Sequence, residues 1–238
     1  MFSFRLAGEE LVADHKGALW WPSQQLLAFA DLHLEKGSSY ASRTTQLLPP
    51  YDTRATLTIM HDVVDRFQPK RIICLGDNFH DREGPERLDA LSREAIQKLM
   101  CGRRFVWIEG NHDAAAAASL GGESAISLQI GPVVFCHEPS KGEAPGEVAG
   151  HLHPVVTVNT RLKRLRRKCF ATDGKRCVMP ALGAFTGGLD IFDEAFADLF
   201  SSAFYTLALG RDRVYPFRQA SVGATEKRLA PGIGLKLR

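Results

Sequence analysis

Short apolar runs that end abruptly in polar loops dominate the first half of the chain. Leu26–Ala30, Arg71–Leu75 and Phe105–Ile108 are each four or five residues long, the pattern of buried strands. Between them, Asp52 to Phe67 places Leu57, Met60, Val64 and Phe67 on one face at helical spacing, with Pro69 beyond its end. A second helix is expected over Pro85–Met100, with Leu88, Leu91, Ala95 and Leu99 inward. Short strands are expected earlier, at Glu10–Asp14 and Gly17–Trp21. Alternating strands and helices predict an α/β fold with a partly parallel sheet. After Ala125 the pattern changes to short β-like stretches between Gly and Asp turns. They fall at Ala125–Ile130, Pro132–Cys136, Glu147–Ala149, Val155–Val158, Cys169–Thr172, Arg176–Met179, Phe204–Leu209 and Arg213–Phe217. A second mixed sheet packed on the first accounts for them. Apart from the alanine run at 114–118, no repeat, linker or compositional break divides the 238 residues, so residues 1–238 read as one domain.

Composition narrows the class. With 45% hydrophobic and 24% charged residues, the chain has the make-up of a globular protein rather than a disordered or fibrous one. Its longest apolar runs, such as Gly131–Cys136, are far below the roughly 18 residues of a spanning helix, so no membrane association is expected. The N-terminus lacks the basic start and apolar stretch of a signal peptide. Five cysteines, with no Cys-x-x-Cys pair, make a reduced, cytoplasmic protein the expectation.

The chemistry lies just past the carboxyl ends of the strands. Leu26–Ala30 runs into Asp31 and His33; Arg71–Leu75 into Gly76, Asp77, His80 and Asp81; Phe105–Ile108 into Gly110, Asn111, His112 and Asp113. Pro132–Cys136 ends at His137, and Glu147–Ala149 leads to Gly150, His151 and His153. Open α/β sheets place their ligand crevice at the carboxyl ends of strands. Of the eight histidines, only His15 and His61 fall outside these loops. Nitrogen and oxygen donors without thiolates suit Mn²⁺, Fe²⁺ or Zn²⁺. Asp31, His33, Asp77, Asn111, His137, His151 and His153 are too many for one ion and suit two ions sharing a carboxylate.

The order Asp-x-His, Gly-Asp, Gly-Asn-His-Asp, His, Gly-His-x-His resembles that of the calcineurin-like metallophosphoesterases, matching from Asp31 to Pro154. The segments Asp31–Ser39, Gly150–Pro154 and Phe185–Asp190 are further similar to one bacterial subgroup, the ligase-associated DNA-damage-response endonucleases. The resemblance implies a four-layer α-β-β-α sandwich of two packed mixed sheets flanked by helices. It implies one metal on Asp31, His33 and His153, a second on Asn111, His137 and His151, and Asp77 bridging them, with Mn²⁺ the first expectation. A metal-bridging hydroxide would be the nucleophile, and His112 would assist the leaving oxygen. Two dications, less Asp31, Asp77 and that hydroxide, leave the cluster near +1, suited to an anionic phosphoester. The sequence departs from the family pattern at one point. Many relatives carry an Asp three residues after the bridging Asp, to pair with the catalytic His; here that position is His80, with Asp81 and Arg82 next. Either His80 or Asp81 is expected to orient His112, and Arg82 is a candidate phosphate contact.

The formal charge of +3 hides an asymmetry. Residues 161–168 supply six positive charges (Arg161, Lys163, Arg164, Arg166, Arg167 and Lys168); without them, 24 basic residues face 27 acidic ones. A solvated loop, a short amphipathic turn or a phosphate-backbone contact all fit such a run, and its place just after the last metal motif favours substrate contact. No aromatic residue interrupts it, so backbone binding without strong sequence preference is expected. Three functions compete. They are a DNA phosphodiesterase acting on single-stranded or damaged DNA in repair, a small-molecule phosphatase or nucleotide pyrophosphohydrolase, and a non-catalytic scaffold. The subgroup resemblance favours the first and implies a DNA ligase, a helicase and an exonuclease as partners. Only 36 residues separate Asp113 from Gly150, leaving little room for a cap, so an open site is expected.

Overall fold

Leu26–Ala30 forms a strand buried at all five positions, with its alternate residues feeding two different cores. Leu26, Ala28 and Ala30 face one cluster while Leu27 and Phe29 face another, as the two-residue period of a strand requires. The structure, a computed structural model, describes residues 1–43, 48–49, 51–112, 116–159, 163–200 and 203–219. In chain order its elements are β1 (Phe2–Leu6), β2 (Glu9–Ala13), β3 (Leu19–Trp21), β4 (Leu26–Ala30), α1 (Lys36–Arg43), α2 (Asp52–Phe67), β5 (Arg71–Leu75), α3 (Gly84–Arg87), α4 (Ala90–Met100) and β6 (Arg104–Ile108). Next along the chain are β7 (Glu123–Ala125), β8 (Ser127–Ile130), β9 (Val133–Cys136), β10 (Glu147–Ala149), β11 (Val155–Asn159), β12 (Arg164–Thr172), β13 (Arg176–Val178), β14 (Phe204–Leu209) and β15 (Val214–Gln219), with short 3-10 turns between some of them.

Among the described residues, β1 to β7 form one sheet in sequence order, antiparallel from β1 to β4 and parallel from β4 to β7. The second sheet runs β15-β14-β12-β13-β10-β9-β8, with β11 added on β12; β9, β10 and β13 are mutually parallel in it. Leu26, Ile73, Val106, Phe135, Val148, Phe170 and Leu207 meet in the core between the sheets. The helices cover the first sheet through Leu57, Met60, Val64, Ile96 and Leu99, which pack against Phe29, Cys74 and Trp107. Cys169, Ala171 and Val178 on the far face of the second sheet are covered by Ile191, Phe196 and Phe200. Each fully buried Leu or Phe contributes about 1.5–3 kcal/mol.

The helix over 52–67 and the strands 26–30, 71–75, 147–149 and 204–209 have the expected bounds. The segment Pro85–Met100 is not one helix. Leu88 takes an extended ψ of 129° and Asp89 restarts the helix by capping the amide of Ser92. The restart changes the phase, so Ser92, Ile96 and Leu99 point inward while Leu91 is 65% exposed. Ala125–Ile130 is likewise divided, with β7 closing the first sheet and β8 edging the second. Strand β1 adds to the expected elements, its Phe2, Phe4 and Leu6 alternating with polar residues. The basic segment is neither loop nor turn from Arg164 onward, because β12 runs through it into the buried Cys169–Thr172. All five cysteines are free thiols, and no helix among the described residues is long and apolar enough to cross a membrane.

Candidate metal centre

Strands β4, β5, β6, β9 and β10 all end at one place, where their loops are tied to each other. The amide of His33 donates to the Asp77 carbonyl (2.8 Å), that of Leu34 to Asn78 O (2.9 Å), and that of Gly150 to His137 O (2.8 Å). The Asn78 amide group anchors the same loop to Ile108 O on β6 (3.0 Å). The turns are tight enough to force Asp31, His33, Asp77, His151 and His153 to positive φ, between 42° and 68°. Such backbone costs energy for residues with a Cβ and concentrates at functional sites. Two glycines are required by close approach. A Cβ on Gly110 would collide with the Asp77 amide, and one on Gly76, at φ +69°, would collide with the His137 ring.

The result is two adjoining groups, Asp31–His33–His153 and Asp77–His137–His151, with the donor atoms of each group within 4.8 Å of one another. In the first, His33 Nε2 and His153 Nε2 are 3.3 Å apart, and His153 Nε2 is 3.4 Å from Asp31 Oδ1. In the second, His151 Nδ1 and His137 Nε2 are 3.2 Å apart, and His137 Nε2 is 3.4 Å from Asp77 Oδ1. Two ligands about 2.1 Å from one ion, at tetrahedral to octahedral angles, lie roughly 3.0–3.4 Å apart. These separations therefore fit coordination edges. Asp77 faces both groups, with Oδ1 on His137 and Oδ2 3.8 Å from His33 Nε2.

The electrostatics fit divalent cations as well. Asp31 and Asp77 are buried, and among the described residues no lysine or arginine pairs with either. Two buried carboxylates that accept backbone amides but lack an ion-paired lysine or arginine favour added positive charge between them. Two of the imidazoles around them, His33 and His151, are held toward the neutral form. Burial, reinforced by His153 and Lys36, pushes His33 down to about 2, and burial with His137 lowers His151. His137 Nδ1 lies 3.0 Å from the Leu75 carbonyl; donating there leaves Nε2 as a lone pair aimed at Asp77 and His151.

Asn111 and His112 lie exposed in the loop after β6. The His112 amide donates to Asp77 Oδ1 (3.1 Å), and its ring Nε2 is 3.7 Å from Asp77 Oδ2. His80 stacks on the His112 ring, at 5.7 Å between centroids and 16° between planes. Burial, with Lys36 and His112, lowers the His80 pKa. Asp81 turns elsewhere. Both its oxygens accept from Arg87 Nη2 at 2.8 Å, and Arg43 lies at 3.5 Å. Arg82 is exposed.

The basic segment divides. Arg161 lies outside the described residues, and Lys163, Arg164 and Arg167 are exposed. Lys168 turns inward and donates to Ala181 O, Gly183 O and Thr186 Oγ1 at 2.8, 3.0 and 2.9 Å, while Arg166 donates to Gly188 O. Burial pushes Lys168 down to about 8. The 181–188 loop that they hold lies against the first group, since Gly183 N donates to Asp31 O (3.1 Å) and Gly188 packs on the His153 carbonyl. Lys36 donates to Phe185 O in the same loop (3.1 Å). Sequence reasoning gives Lys36 and Phe185 no role of their own. Both sit in segments that carry the subgroup resemblance, which is the one signal that marks them.

Residues 25–167 match the family model for calcineurin-like phosphoesterases. The chain is similar in structure to a Pseudomonas putida nuclease, MPE, with a TM-score of 0.71 and 29% identity over 91% of this chain and 99% of that one. A phosphoesterase from E. coli, Yfce, is 15% identical over 82% of this chain and 98% of its own, with a TM-score of 0.41. No curated protein matches the sequence.

Proposed function

The chain belongs to the calcineurin-like phosphoesterase family and is a metal-dependent phosphoesterase; from that premise we propose that it is a two-metal phosphodiesterase that cuts single-stranded or damaged DNA. The observation that carries the reading is the pair of buried N/O groups sharing Asp77, on a chain similar along nearly its whole length to a nuclease. Asp31, His33 and His153 would hold one ion and His137, His151 and Asn111 the other, with Asp77 placed to serve both. Bound ions of this kind polarise phosphoryl oxygens and acidify water. Mn²⁺ suits the donor set, with Fe²⁺ and Zn²⁺ as alternatives.

The chain's own residues do the rest. Positive-φ turns and loop-to-loop hydrogen bonds fix the ligands before any ion arrives, so little reorganisation is left to the reaction. Asn111 contributes an oxygen without a charge, which keeps the centre attractive to an anionic diester. His112, exposed at the rim and stacked on His80, is the group that gives a proton to the departing sugar oxygen. His80 rather than Asp81 orients it, because Asp81 is committed to Arg87. The cations of β12 draw a polyanion to this face. A place in DNA repair beside a ligase, a helicase and an exonuclease is the setting the subgroup motifs suggest.

Hydrolysis of a single-stranded oligonucleotide, bis-p-nitrophenyl phosphate and p-nitrophenyl phosphate, each with Mn²⁺ and with chelator, tests the reading. Metal-dependent cutting of the strand and the diester is expected. Activity confined to the monoester contradicts it.

A further inference from the structure

Two segments that hold no metal ligand beyond their first residues meet beside the first ligand group. Lys36, three residues after His33, opens α1; Phe185 lies in the loop whose Gly183 donates to Asp31 and whose Gly188 packs on His153. They are 149 positions apart and joined by the Lys36 Nζ to Phe185 O bond. That bond uses one of three ammonium hydrogens, and Nζ also lies 5.9 Å over the Tyr40 ring. The Phe185 ring, partly exposed, is paired with Tyr51 at 6.1 Å between centroids and 58° between planes; Tyr51 is 57% exposed. Gly187, two residues on in the same loop, has nothing within 4 Å of where a Cβ would stand.

Among the described residues this pair, one ring exposed and the other half-buried, is left only partly covered. Unlike Phe29 or Trp107 it fills no core, and burying its faces would be favourable. Its surroundings indicate what could cover it. The metal groups lie on one side, and Lys36 and the exposed Arg166 are both anchored to the same loop with donors to spare, so the setting suits an anion with a flat apolar appendage.

We propose that Tyr51 and Phe185 form a stacking shelf for a nucleobase one or two nucleotides from the scissile phosphate, with Lys36 neutralising the phosphate between. This rests on the nuclease reading and adds to it a contact with the base itself, which favours unpaired strands because only an unstacked base can lie on such a shelf. It also revises the expectation of pure backbone binding. Aromatic residues are missing from the basic segment, but the loop that Lys168 and Arg166 hold carries Phe185.

Binding and cleavage of a normal single strand and of an otherwise identical abasic strand, with Mn²⁺, test the shelf. Wild type is expected to prefer the strand with bases by roughly fivefold to a hundredfold, the range for one stacked base. Tyr51→Ala and Phe185→Ala should each collapse that preference toward one, while Tyr51→Phe and Phe185→Tyr restore it. Lys36→Ala should weaken both strands equally and reduce the salt slope of binding by about 0.7. Melting curves report on folding, and Tyr51→Ala, an exposed position, keeps the test valid if Phe185→Ala unfolds. A preference that survives both alanine variants, or is absent from wild type, overturns the shelf while leaving the nuclease reading intact. A wild type that hydrolyses bis-p-nitrophenyl phosphate but neither strand overturns the nuclease reading and the shelf with it.

Discussion

The two ligand groups use the same donors but stand in different surroundings. Behind the second, everything is locked. His137 is buried and tied to Leu75 O, and the chain beyond it is held by Arg176, itself buried. Arg176 pairs with the buried Glu147 at 2.7 Å and donates to Ser140 O, Gly142 O and Leu199 O. Around the first group lie exposed rings, half-buried lysines and an open loop. One half of the centre is built for rigidity and the other for contact. Asp31 crosses the divide, since both its oxygens accept from the His151 amide of the second group.

Substitutions that strike the shared part should have the largest effect. Asp77→Ala removes the oxygens that face both groups, and a loss of several kcal/mol of transition-state stabilisation is expected, on the order of 10³-fold or more in kcat/KM. Both ions should weaken together in a metal titration. His112→Ala should cost about 10²–10⁴-fold in diester hydrolysis while both ions stay bound, which separates proton transfer from metal holding.

On the rigid side, Arg176→Met leaves Glu147 buried without a counter-charge, with only the Ser140 amide donating to it. A destabilisation of about 3–5 kcal/mol is expected in denaturant unfolding, because desolvating a lone carboxylate is costly. An equal loss from Lys36→Met would erase the contrast between the halves. Loading the metal-free protein with Mn²⁺ at about a hundred times its dissociation constant should add about 2.7 kcal/mol per site, seen as a higher melting temperature.

The smallest expected effect concerns pH. Lys168 titrates near 8 in the folded protein, against an ordinary 10.5, because burial disfavours its charge. The unfolded chain therefore holds the proton more tightly across that window, so stability of the metal-free protein should rise as pH goes from 8 to 10.5. Lys168→Met should flatten this rise.

Legibility in the sequence divides along similar lines. Strands β4 and β5 are apolar almost throughout, and their polar loops hold ligands that neighbour each other along the chain. Local pattern alone brings out Asp31 and Asp77 as candidates past β4 and β5, and His137 past β9. The first half of β12 does not show in the sequence because Arg164, Arg166 and Arg167 put charge on both of its faces, which erases the two-residue period. The break at Leu88 was hidden because a cap at Asp89 resets the phase without disturbing composition. The bond between Asp81 and Arg87, which bears on the choice between His80 and Asp81, is one that sequence order does not mark. The Lys36–Phe185 contact joins positions 149 apart, and only the folded chain brings them together.

Counting the ions bound by the purified, metal-stripped chain as Mn²⁺ is returned tests the two-group centre most directly. Two ions per chain are expected for wild type and one for His153→Ala, whose second group is intact. A single ion in wild type, or two in a variant lacking a ligand of each group, would contradict it.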